Sequence, residues 1–470
     1  MCEAFNEERK NVDNEEVMTL RGWQVPLAAR QTDVLRRERA FLQCSCTGAG
    51  KTYLACQTIR DLKVPTLVVC PKIARSQWRE VIRGMGVEEY VLDVVNPENL
   101  VTSKTNNWYS HDEGWSDRVP KGPALLVFDE IHRGCSGIYK RSVGSGKRSG
   151  SGNKQVLMVA RWVNKSTPEH KVLAMSATPA ESPLKMQLIG YLMGMHDFYV
   201  NSFYNWCRMH GCSYVEKNRS GAMALEFTRN STKAREIMLG LRRDMGDRFL
   251  SITPKDIPEF PEETVETMLV DLAESDHAAL VRAYEEMPEN IKDIRPGTDA
   301  MVKLLRLRQQ AEFAKMAVFS EIARNHEADG MSVFVCLNFT DARLRIESFL
   351  SKAGVSFASI YGGQSERERN EGIAAFQNNE VHVMIGMSAA CGVALSLHDV
   401  KHERLRVSLI SPGYSISEFK QALGRIRRVG GTHAVQKVVL AANSVEERVA
   451  TSLNRKGFSL DALVDGDLMR

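Results

Sequence analysis

The 470-residue sequence predicts an α/β protein built from two tandem units, each a mostly parallel sheet covered by helices on both faces. Short, fully apolar runs such as residues 124–128 are typical of strands buried in a parallel sheet, and they alternate with helical patterns in both halves of the chain. Between the halves, prolines and glutamates cluster in residues 254–263, which is typical of a domain boundary. We therefore predict a frayed segment at residues 1–17, a first unit at 18–253, a linker at 254–263 and a second unit at 264–470.

Composition restricts the kind of protein. Lys and Arg number 62 against 58 Asp and Glu, so any surface for nucleic acid must be local. The ten cysteines show no Cys-x-x-Cys spacing, and we expect free thiols in a reducing compartment, the cytoplasm. The polar start of the chain has no signal-peptide pattern. The sequence contains no run of about 18 apolar residues, so we predict no membrane span.

In the first unit, the pattern predicts strands at 40–44, 66–70, 124–128 and 171–175, and helices at 51–60 and 74–85. Residues 96–100 resemble a strand that runs into a loop, and residues 180–249 read as mainly helical and irregular.

In the second unit, the pattern predicts helices at 275–286, 300–325, 341–352 and 365–376, and strands at 332–336, 355–360, 382–385 and 407–410. Residues 388–392 read as a turn. A last helix begins at Ser415, and spacings of three and four place Gln421, Gly424, Arg425 and Arg428 on one of its faces. A glycine inside a helix costs about 1 kcal/mol relative to alanine and is tolerable where another group must approach closely.

The stretch Ser45-Cys46-Thr47-Gly48-Ala49-Gly50-Lys51-Thr52 lies between a predicted strand and a predicted helix, as a phosphate-binding loop does. The glycines let the backbone N–H groups face one concavity, and the helix N-terminus adds positive potential. Lys51 is expected to reach the β- and γ-phosphates, and Thr52 to hold Mg²⁺. Ser45 stands where the general pattern has glycine, so the match is to the shorter Thr-Gly-x-Gly-Lys-Thr form. A glycine-rich turn with a chance lysine is the alternative.

Gln24 lies upstream of this loop, at a distance from which its amide could read the edge of an adenine, because an amide both donates and accepts hydrogen bonds. A glutamine on the surface of the first helix is the alternative.

Two acids, Asp129 and Glu130, follow the apolar run at 124–128 and precede His132. Ligands of α/β folds bind at the carboxyl ends of strands, so Asp129 is a candidate Mg²⁺ ligand and Glu130 a candidate base for the attacking water. The short hydroxyls of Ser176 and Thr178, after the strand at 171–175, could bond to this loop and report the nucleotide state. Adjacent acids after a strand also occur in ordinary turns.

No acidic residue lies between Glu130 and Glu169, and the Gly- and Ser-rich stretch 142–153 within this segment predicts a mobile loop. Basic side chains on such a loop suit backbone phosphates, which carry no sequence code. A solvated linker with chance charge is the alternative. The candidate contacts are Lys140, Arg141, Lys147 and Arg148.

Taken in order, these stretches resemble the core of superfamily 2 helicases and translocases, over nearly the whole chain. The matching segments are Gln24, residues 47–52, residues 69–72 with Gln77-Trp78, residues 129–132, Ser176-Ala177-Thr178, Asn338-Phe339, residues 388–397 and residues 421–428. The closest resemblance is to the Swi/Snf-type branch, through Leu241-Arg242-Arg243, Pro258-Glu259-Phe260-Pro261 and residues 305–309. Ser176-Ala177-Thr178 stands where that branch has Gly-Thr-Pro, and the large insertions of the remodellers are missing. Compact versions of this kind resemble ATPases encoded by viruses and phages.

The resemblance implies two RecA-like lobes with ATP and Mg²⁺ in the cleft between them. The first lobe would supply Lys51, Thr52, Asp129 and Glu130, and the second lobe Arg425 and Arg428. His132, Ser176, Thr178 and Gln421 would couple nucleotide state to movement. Nucleic acid would lie over the opposite edge of both lobes and contact Lys72, Asn96, the Thr178 turn, Asn338 and Ser388.

Three functions stay open at this point. The first is a DNA-dependent ATPase that translocates on duplex or branched DNA as a monomer. The second is a helicase that separates strands of DNA or RNA, since the form of residues 129–132 that ends in His132 occurs in both groups. The third is an ATP-switched binding module or replication accessory factor. No nuclease constellation supports a restriction-subunit role.

Overall fold

The computed structural model describes residues 18–102, 108–110, 113–135, 137–141, 150–152, 154–163, 169–216, 223–285, 299–391 and 395–464. The segment predicted to be frayed, residues 1–17, lies outside the described residues. Within the described part, no helix has the length and apolar character that crossing a membrane requires.

The first half of the described chain, the first lobe, alternates strands and helices around one parallel sheet. Its strands are β1 (Ala40–Gln43), β2 (Thr66–Val69), β3 (Val91–Val95), β4 (Tyr109–Ser110), β5 (Gly114–Trp115), β6 (Leu125–Asp129), β7 (Tyr139–Arg141), β8 (Gly150–Gly152), β9 (Lys171–Met175), β10 (Cys212–Glu216), β11 (Met223–Phe227) and β12 (Phe249–Leu250). Its α-helices are α1 (Val25–Arg37), α2 (Lys51–Leu62), α3 (Arg75–Gly84), α4 (Pro97–Thr102), α5 (Ile131–Cys135), α6 (Lys154–Trp162), α7 (Gln187–Leu192), α8 (Val200–Met209) and α9 (Ser231–Met245).

The second half, the second lobe, repeats this organisation. Its strands are β13 (Glu263–Val270), β14 (Ser332–Leu337), β15 (Phe357–Ile360), β16 (Val383–Met387), β17 (Arg406–Ile410) and β18 (Ala434–Ala441). Its α-helices are α10 (Glu274–Glu285), α11 (Asp299–Ala314), α12 (Met316–Ala328), α13 (Thr340–Lys352), α14 (Glu366–Gln377), α15 (Ser388–Cys391), α16 (Ile416–Leu423) and α17 (Val445–Val464).

Each lobe has a six-stranded sheet in which every pairing is parallel. The strand order is β12-β1-β9-β6-β2-β3 in the first lobe and β13-β18-β17-β14-β16-β15 in the second. Consecutive residues of a strand point to opposite faces, so Leu126 and Val127 enter different hydrophobic clusters. Helices cover both faces, and the predicted fold class is confirmed. The strands β1, β9 and β6 are neighbours, which brings the segments that follow them together at one edge.

Several predicted elements are wrong in type or extent. Pro97–Thr102 is a helix rather than a loop, and the helix predicted over 300–325 is divided at Lys315 into α11 and α12. The turn predicted at 388–392 begins as the short helix α15. Gly150–Gly152, predicted to be loop, pairs with Tyr139–Arg141. The antiparallel hairpin β10–β11 lies where helical and irregular structure was predicted. Short strands of local hairpins lack the apolar runs on which the sequence analysis relied.

The last described helix, α17, begins in the second lobe and packs on α9 of the first lobe. Its residues Leu453, Leu460 and Leu463 belong to the same hydrophobic cluster as Leu241 of α9. Arg242 of α9 also donates a hydrogen bond to the carbonyl of Leu463 at 3.2 Å and another to that of Val464. The two lobes are therefore joined by an apolar contact remote from the linker.

A fully buried ion pair fixes the start of α17. Lys315 Nζ lies 2.7 Å from Glu446 Oε2, and both side chains are almost inaccessible, at 0% and 3% exposed. The ammonium also donates to Ser411 Oγ at 3.1 Å and to the Val439 carbonyl at 2.9 Å, and Glu446 Oε2 accepts from the Ala441 N–H. These bonds satisfy the buried ammonium, which would otherwise be strongly destabilising.

We predict that Glu446→Gln destabilises the fold by about 3 kcal/mol or more, because it leaves the Lys315 charge buried without its counterion. Chemical denaturation of the variant measures the loss. The matched control is Glu371→Gln, which breaks the exposed Arg367–Glu371 pair of α14 and should change stability little. Equal stability of the two variants would show that the buried pair does not hold the fold together.

Candidate nucleotide and nucleic-acid site

The phosphate-binding loop leaves β1 and enters α2, as predicted. Gly48 and Gly50 have φ of +87° and +76°, in the left-handed region that favours glycine. The helix begins at Lys51 directly after Gly50, so its first N–H groups face the loop's concavity. Lys51 Nζ donates to the carbonyls of Ser45 at 3.0 Å and Cys46 at 3.3 Å, which positions the ammonium beside the loop.

Gln24 is buried against this loop rather than exposed on the first helix. Its Nε2 donates to the Ala49 carbonyl at 3.1 Å, and its Oε1 accepts from the Arg21 N–H at 3.0 Å. A methyl group added at Gly50 would lie only 2.4 Å from the Gln24 Nε2. The structure therefore gives Gln24 a further role, since it supports the loop at the edge of the predicted adenine site.

The two acids occupy the carboxyl end of β6. Asp129 is buried, and its Oδ2 accepts a hydrogen bond from Trp78 Nε1 at 3.0 Å. Burial raises the pKa of Asp129 to about 6, with the neighbouring Glu130 as the next cause. Glu130 has φ of +52°, and its Oε2 is buried with no hydrogen-bond partner in the described part of the chain. A cation or water at this position would stabilise both carboxylates.

His132 connects the two lobes. Its Nδ1 lies 2.7 Å from Ser176 Oγ and 3.3 Å from Glu130 Oε2, and its Nε2 lies 2.7 Å from Ser417 Oγ of α16. Thr178 Oγ1 is also 2.7 Å from Ser417 Oγ. Burial, helped by the charges of Arg133 and Lys51, lowers the pKa of His132 to about 3. The imidazole is therefore neutral at physiological pH.

Gln421, the predicted coupling residue of the second lobe, contacts Arg133 instead of His132. Arg133 Nη2 donates to Gln421 Oε1 at 3.1 Å. The residue that meets His132 is Ser417, which the sequence analysis did not select. A serine four residues before Gln421 carries no pattern that distinguishes it from a surface hydroxyl, so only the packing of α16 could reveal it.

The two predicted arginines lie in the cleft, but outside the helix on which they were expected. Helix α16 ends at Leu423, so Arg425 and Arg428 lie in the turns after it and not on its face. Gly424 can therefore approach the first lobe without lying inside a helix. Arg425 Nη1 and Arg428 Nη2 both donate to the Leu395 carbonyl, at 3.1 and 2.7 Å. Burial lowers the pKa of Arg428 to about 9, and the Arg425 charge adds to the effect.

The lobes meet at the loop itself. A methyl group added at Gly424 would lie 2.7 Å from Thr47 Cβ, and one added at Gly48 would lie 3.1 Å from Arg428 Cγ. Each glycine thus lets a backbone approach that a side chain would block.

A cavity of about 500 Å³ lies between the lobes at this contact. Residues of both lobes line it, namely Gln24, residues 47–52, Trp78, Asp129, Glu130, Ser396, His398, Arg425 and Arg428. Loop amides, a lysine, paired carboxylates and arginines are the groups that bind a nucleoside triphosphate with a divalent cation, so the described residues fit ATP and Mg²⁺. The sequence analysis missed His398, whose Nδ1 is buried without a partner in the described region.

The candidate nucleic-acid contacts are scattered. Lys72 is exposed, whereas the Asn96 side chain is buried and donates to Glu98 Oε2 at 2.7 Å, so it presents no group to the surface. Lys140 and Arg141 belong to strand β7. Lys147 and Arg148 lie outside the described residues.

Asn338 and Ser388 come together at the carboxyl edge of the second sheet. Ser388 Oγ donates to Asn338 Oδ1 at 3.2 Å, and Asn338 Nδ2 donates to the buried Glu312 at 2.7 Å. Burial raises the pKa of Glu312. The predicted pair is thus held in place by its own lobe.

Arg308 of α11 lies at the same edge and was not selected from the sequence. Its Cζ lies 4.9 Å from the centre of the Tyr414 ring and 5.6 Å from that of Phe339. The structure gives it no ion pair to any described carboxylate. These two aromatic rings hold the guanidinium in place and leave its charge available.

Two family models match the chain. The type III restriction enzyme res subunit model matches residues 17–181, and the helicase conserved C-terminal domain model matches residues 314–430. A protein of Acanthamoeba polyphaga mimivirus, provisionally named an ATP-dependent RNA helicase, is 28% identical over 93% of this chain and 82% of its own length. An Arabidopsis thaliana protein, provisionally named a SWI/SNF-related regulator of chromatin, is 27% identical over 29% of this chain and 15% of its own length.

Among solved structures, the SWI2/SNF2 ATPase core of Sulfolobus solfataricus in complex with double-stranded DNA aligns over 97% of this chain and 98% of its own, with 16% identity and a TM-score of 0.37.

The chain has a superfamily 2 helicase core, in which one matched domain lies in each lobe. It is an ATP-hydrolysing enzyme that acts on nucleic acid.

We predict that Gly424→Ala lowers ATP turnover by about tenfold or more, because the added methyl meets Thr47 and holds the lobes apart. The φ of −75° at Gly424 suits alanine, so the fold should melt at nearly the same temperature. Gly240→Ala is the control, since Gly240 lies within α9 with nothing within 4 Å of an added methyl. Normal turnover in Gly424→Ala would show that catalysis does not need this approach.

Proposed function

We propose that this protein is an ATP-driven motor that moves along duplex or branched DNA without separating its strands over long distances. The observation that best supports a motor is the cavity between the lobes, because residues of both lobes line it. A nucleotide held there contacts both lobes, so its hydrolysis and release change how the lobes sit together.

In this proposal the first lobe holds the triphosphate. The loop amides of residues 47–50 and the Lys51 ammonium bind the phosphates, and Gln24 lies where adenine binds. Thr52 and Asp129 hold Mg²⁺, which neutralises phosphate charge when bound. Glu130 orients the attacking water and accepts its proton.

The second lobe adds positive charge when the cleft closes. Arg428 already lies against Gly48, and its buried Nε has no hydrogen-bond partner among the described residues. A guanidinium in that position suits the charge that develops on the transferred phosphoryl group. Arg425 lies beside it and shares the Leu395 carbonyl.

Nucleic acid would lie over Asn338, Ser388 and Arg308, with Lys72 on the first lobe. Arg308 is the strongest candidate for a phosphate contact, because its charge has no described ionic partner. Backbone contacts of this kind position the duplex and carry no sequence code.

Duplex tracking is supported by the Swi/Snf-like stretches at Leu241-Arg242-Arg243 and residues 305–309 and by the similarity to a SWI/SNF-related protein. Separating each base-pair step costs about 1.4 kcal/mol on average, a cost that a motor following the duplex intact does not meet.

Strand separation is the second candidate, and the hairpin β10–β11 favours it. Residues Ser213 to Glu216 of β10 are all exposed, and the Tyr214 side chain is 47% exposed. An exposed aromatic residue can stack on a base. The sequence pattern predicted helical and irregular structure here, so the hairpin was not expected.

We predict that duplex DNA stimulates ATP hydrolysis at least as well as single-stranded DNA or RNA. Lys51→Ala should abolish the stimulated turnover, since the loop amides cannot replace the ammonium charge, while nucleic-acid binding without nucleotide survives. Turnover with a panel of nucleic acids measures both. Near-normal turnover in folded Lys51→Ala would exclude this nucleotide site.

The mode of movement is tested in the same preparation with two substrates. A duplex translocase displaces the third strand of a triplex when ATP is present and separates a tailed duplex poorly. Efficient separation of the tailed duplex without triplex displacement would establish the second candidate. Stimulated turnover with neither movement would indicate an ATP-switched binding factor.

We predict that Arg308→Gln weakens DNA binding regardless of sequence and reduces the slope of log K against log salt by about 0.9, the value for one phosphate contact on duplex DNA. Arg308→Lys, which keeps the charge, should retain most of the slope. Arg367→Gln, on the exposed face of α14, is the matched control. An unchanged slope in Arg308→Gln would mean that this guanidinium does not contact a phosphate.

A further inference from the structure

Ser417 is the only described residue of the second lobe whose side chain is hydrogen-bonded to His132. We infer that Ser417 is a positioning residue: it fixes the tautomer of His132 that faces the Glu130 carboxylate, so that the lobes must meet before Glu130 is held for hydrolysis. This inference rests on the proposed function of Glu130.

The proton on the His132 ring can be assigned from its neighbours. The ring is neutral, so one nitrogen carries a proton and the other carries a lone pair. Nδ1 lies 3.3 Å from Glu130 Oε2, and a carboxylate oxygen offers only lone pairs. A proton on Nδ1 is attracted by that oxygen, whereas a lone pair there would be repelled. The proton therefore belongs on Nδ1, where it also bonds to Ser176 Oγ at 2.7 Å.

The lone pair on Nε2 then needs a donor, and Ser417 supplies it at 2.7 Å. The Ser417 oxygen accepts in turn from the Thr178 hydroxyl at 2.7 Å. One further bond, from the Thr178 N–H to Ser176 Oγ at 3.0 Å, lies within the first lobe and completes the cycle of hydrogen bonds. In this assignment the His132 N–H, the Ser417 and Thr178 hydroxyls and the Thr178 N–H each have one acceptor.

The assignment makes the arrangement sensitive to lobe position. If the second lobe moves away, Nε2 loses its donor, and the tautomer with a proton on Nε2 becomes accessible. That tautomer turns a lone pair toward Glu130 and removes the N–H that attracts its carboxylate.

The test compares steady-state ATP hydrolysis of Ser417→Ala with wild type at saturating duplex DNA. We expect kcat to fall about tenfold or more, because the buried Nε2 loses its donor, while KM for ATP stays the same. Ser417→Thr keeps the hydroxyl and should recover most of kcat. Ser348→Ala, a serine exposed on α13 of the same lobe, is the matched control.

A double-mutant cycle with His132→Ala separates positioning through the imidazole from a general effect on the interface. If Ser417 acts through His132, Ser417→Ala should cost less than about twofold in the His132→Ala background. A full additional loss there, an unchanged kcat in the single variant, or a rise in KM alone would overturn the inference. Absence of stimulated hydrolysis in wild type would instead overturn the proposed function itself.

Discussion

The close contact of Gly424 with the phosphate-binding loop, across the cleft, is the constraint that governs the rest of the site. Gly424 of the second lobe lies against Thr47 of the phosphate-binding loop, and Gly48 of that loop lies against Arg428. An added methyl would overlap Thr47 at Gly424 and would crowd Arg428 at Gly48, so glycine at both positions favours the close contact of the lobes. This contact places Arg425 and Arg428 in the same cavity as Lys51. The catalytic groups of one lobe are thereby completed by the other.

The contact also creates an electrostatic cost that a nucleotide would offset. Arg428 is buried with its Nε unpaired in the described structure, and burial lowers its pKa to about 9. On the other wall, burial raises the pKa of Asp129 to about 6. Buried charges of both signs without full partners are destabilising. Phosphate oxygens beside the arginines and a cation beside the carboxylates would satisfy both walls, which explains why groups so costly to bury lie here.

The edge where nucleic acid is proposed to bind is built differently. Ser388 bonds to Asn338, Asn338 bonds to Glu312, and Arg308 lies near the rings of Phe339 and Tyr414. These groups are fixed by their own lobe rather than by the contact between lobes. A surface that keeps its shape while the lobes move can remain on the nucleic acid through a cycle. The helix α17, packed on both lobes, limits how far they can separate.

The sequence by itself determined the two parallel sheets, the loop at residues 45–52 and the acids after β6, because apolar strands and glycine-lysine spacings are local patterns. Local patterns predicted Arg425 and Arg428 on one face of a helix. That helix ends at Leu423, before both arginines. They could not select Ser417, Arg308 or His398, because Ser417 and His398 meet residues of the opposite lobe and Arg308 meets rings from two other segments. They also suggested a surface contact for Asn96, which the fold buries. Which polar side chain meets which is decided by how the helices pack, and only the tertiary structure contains that information.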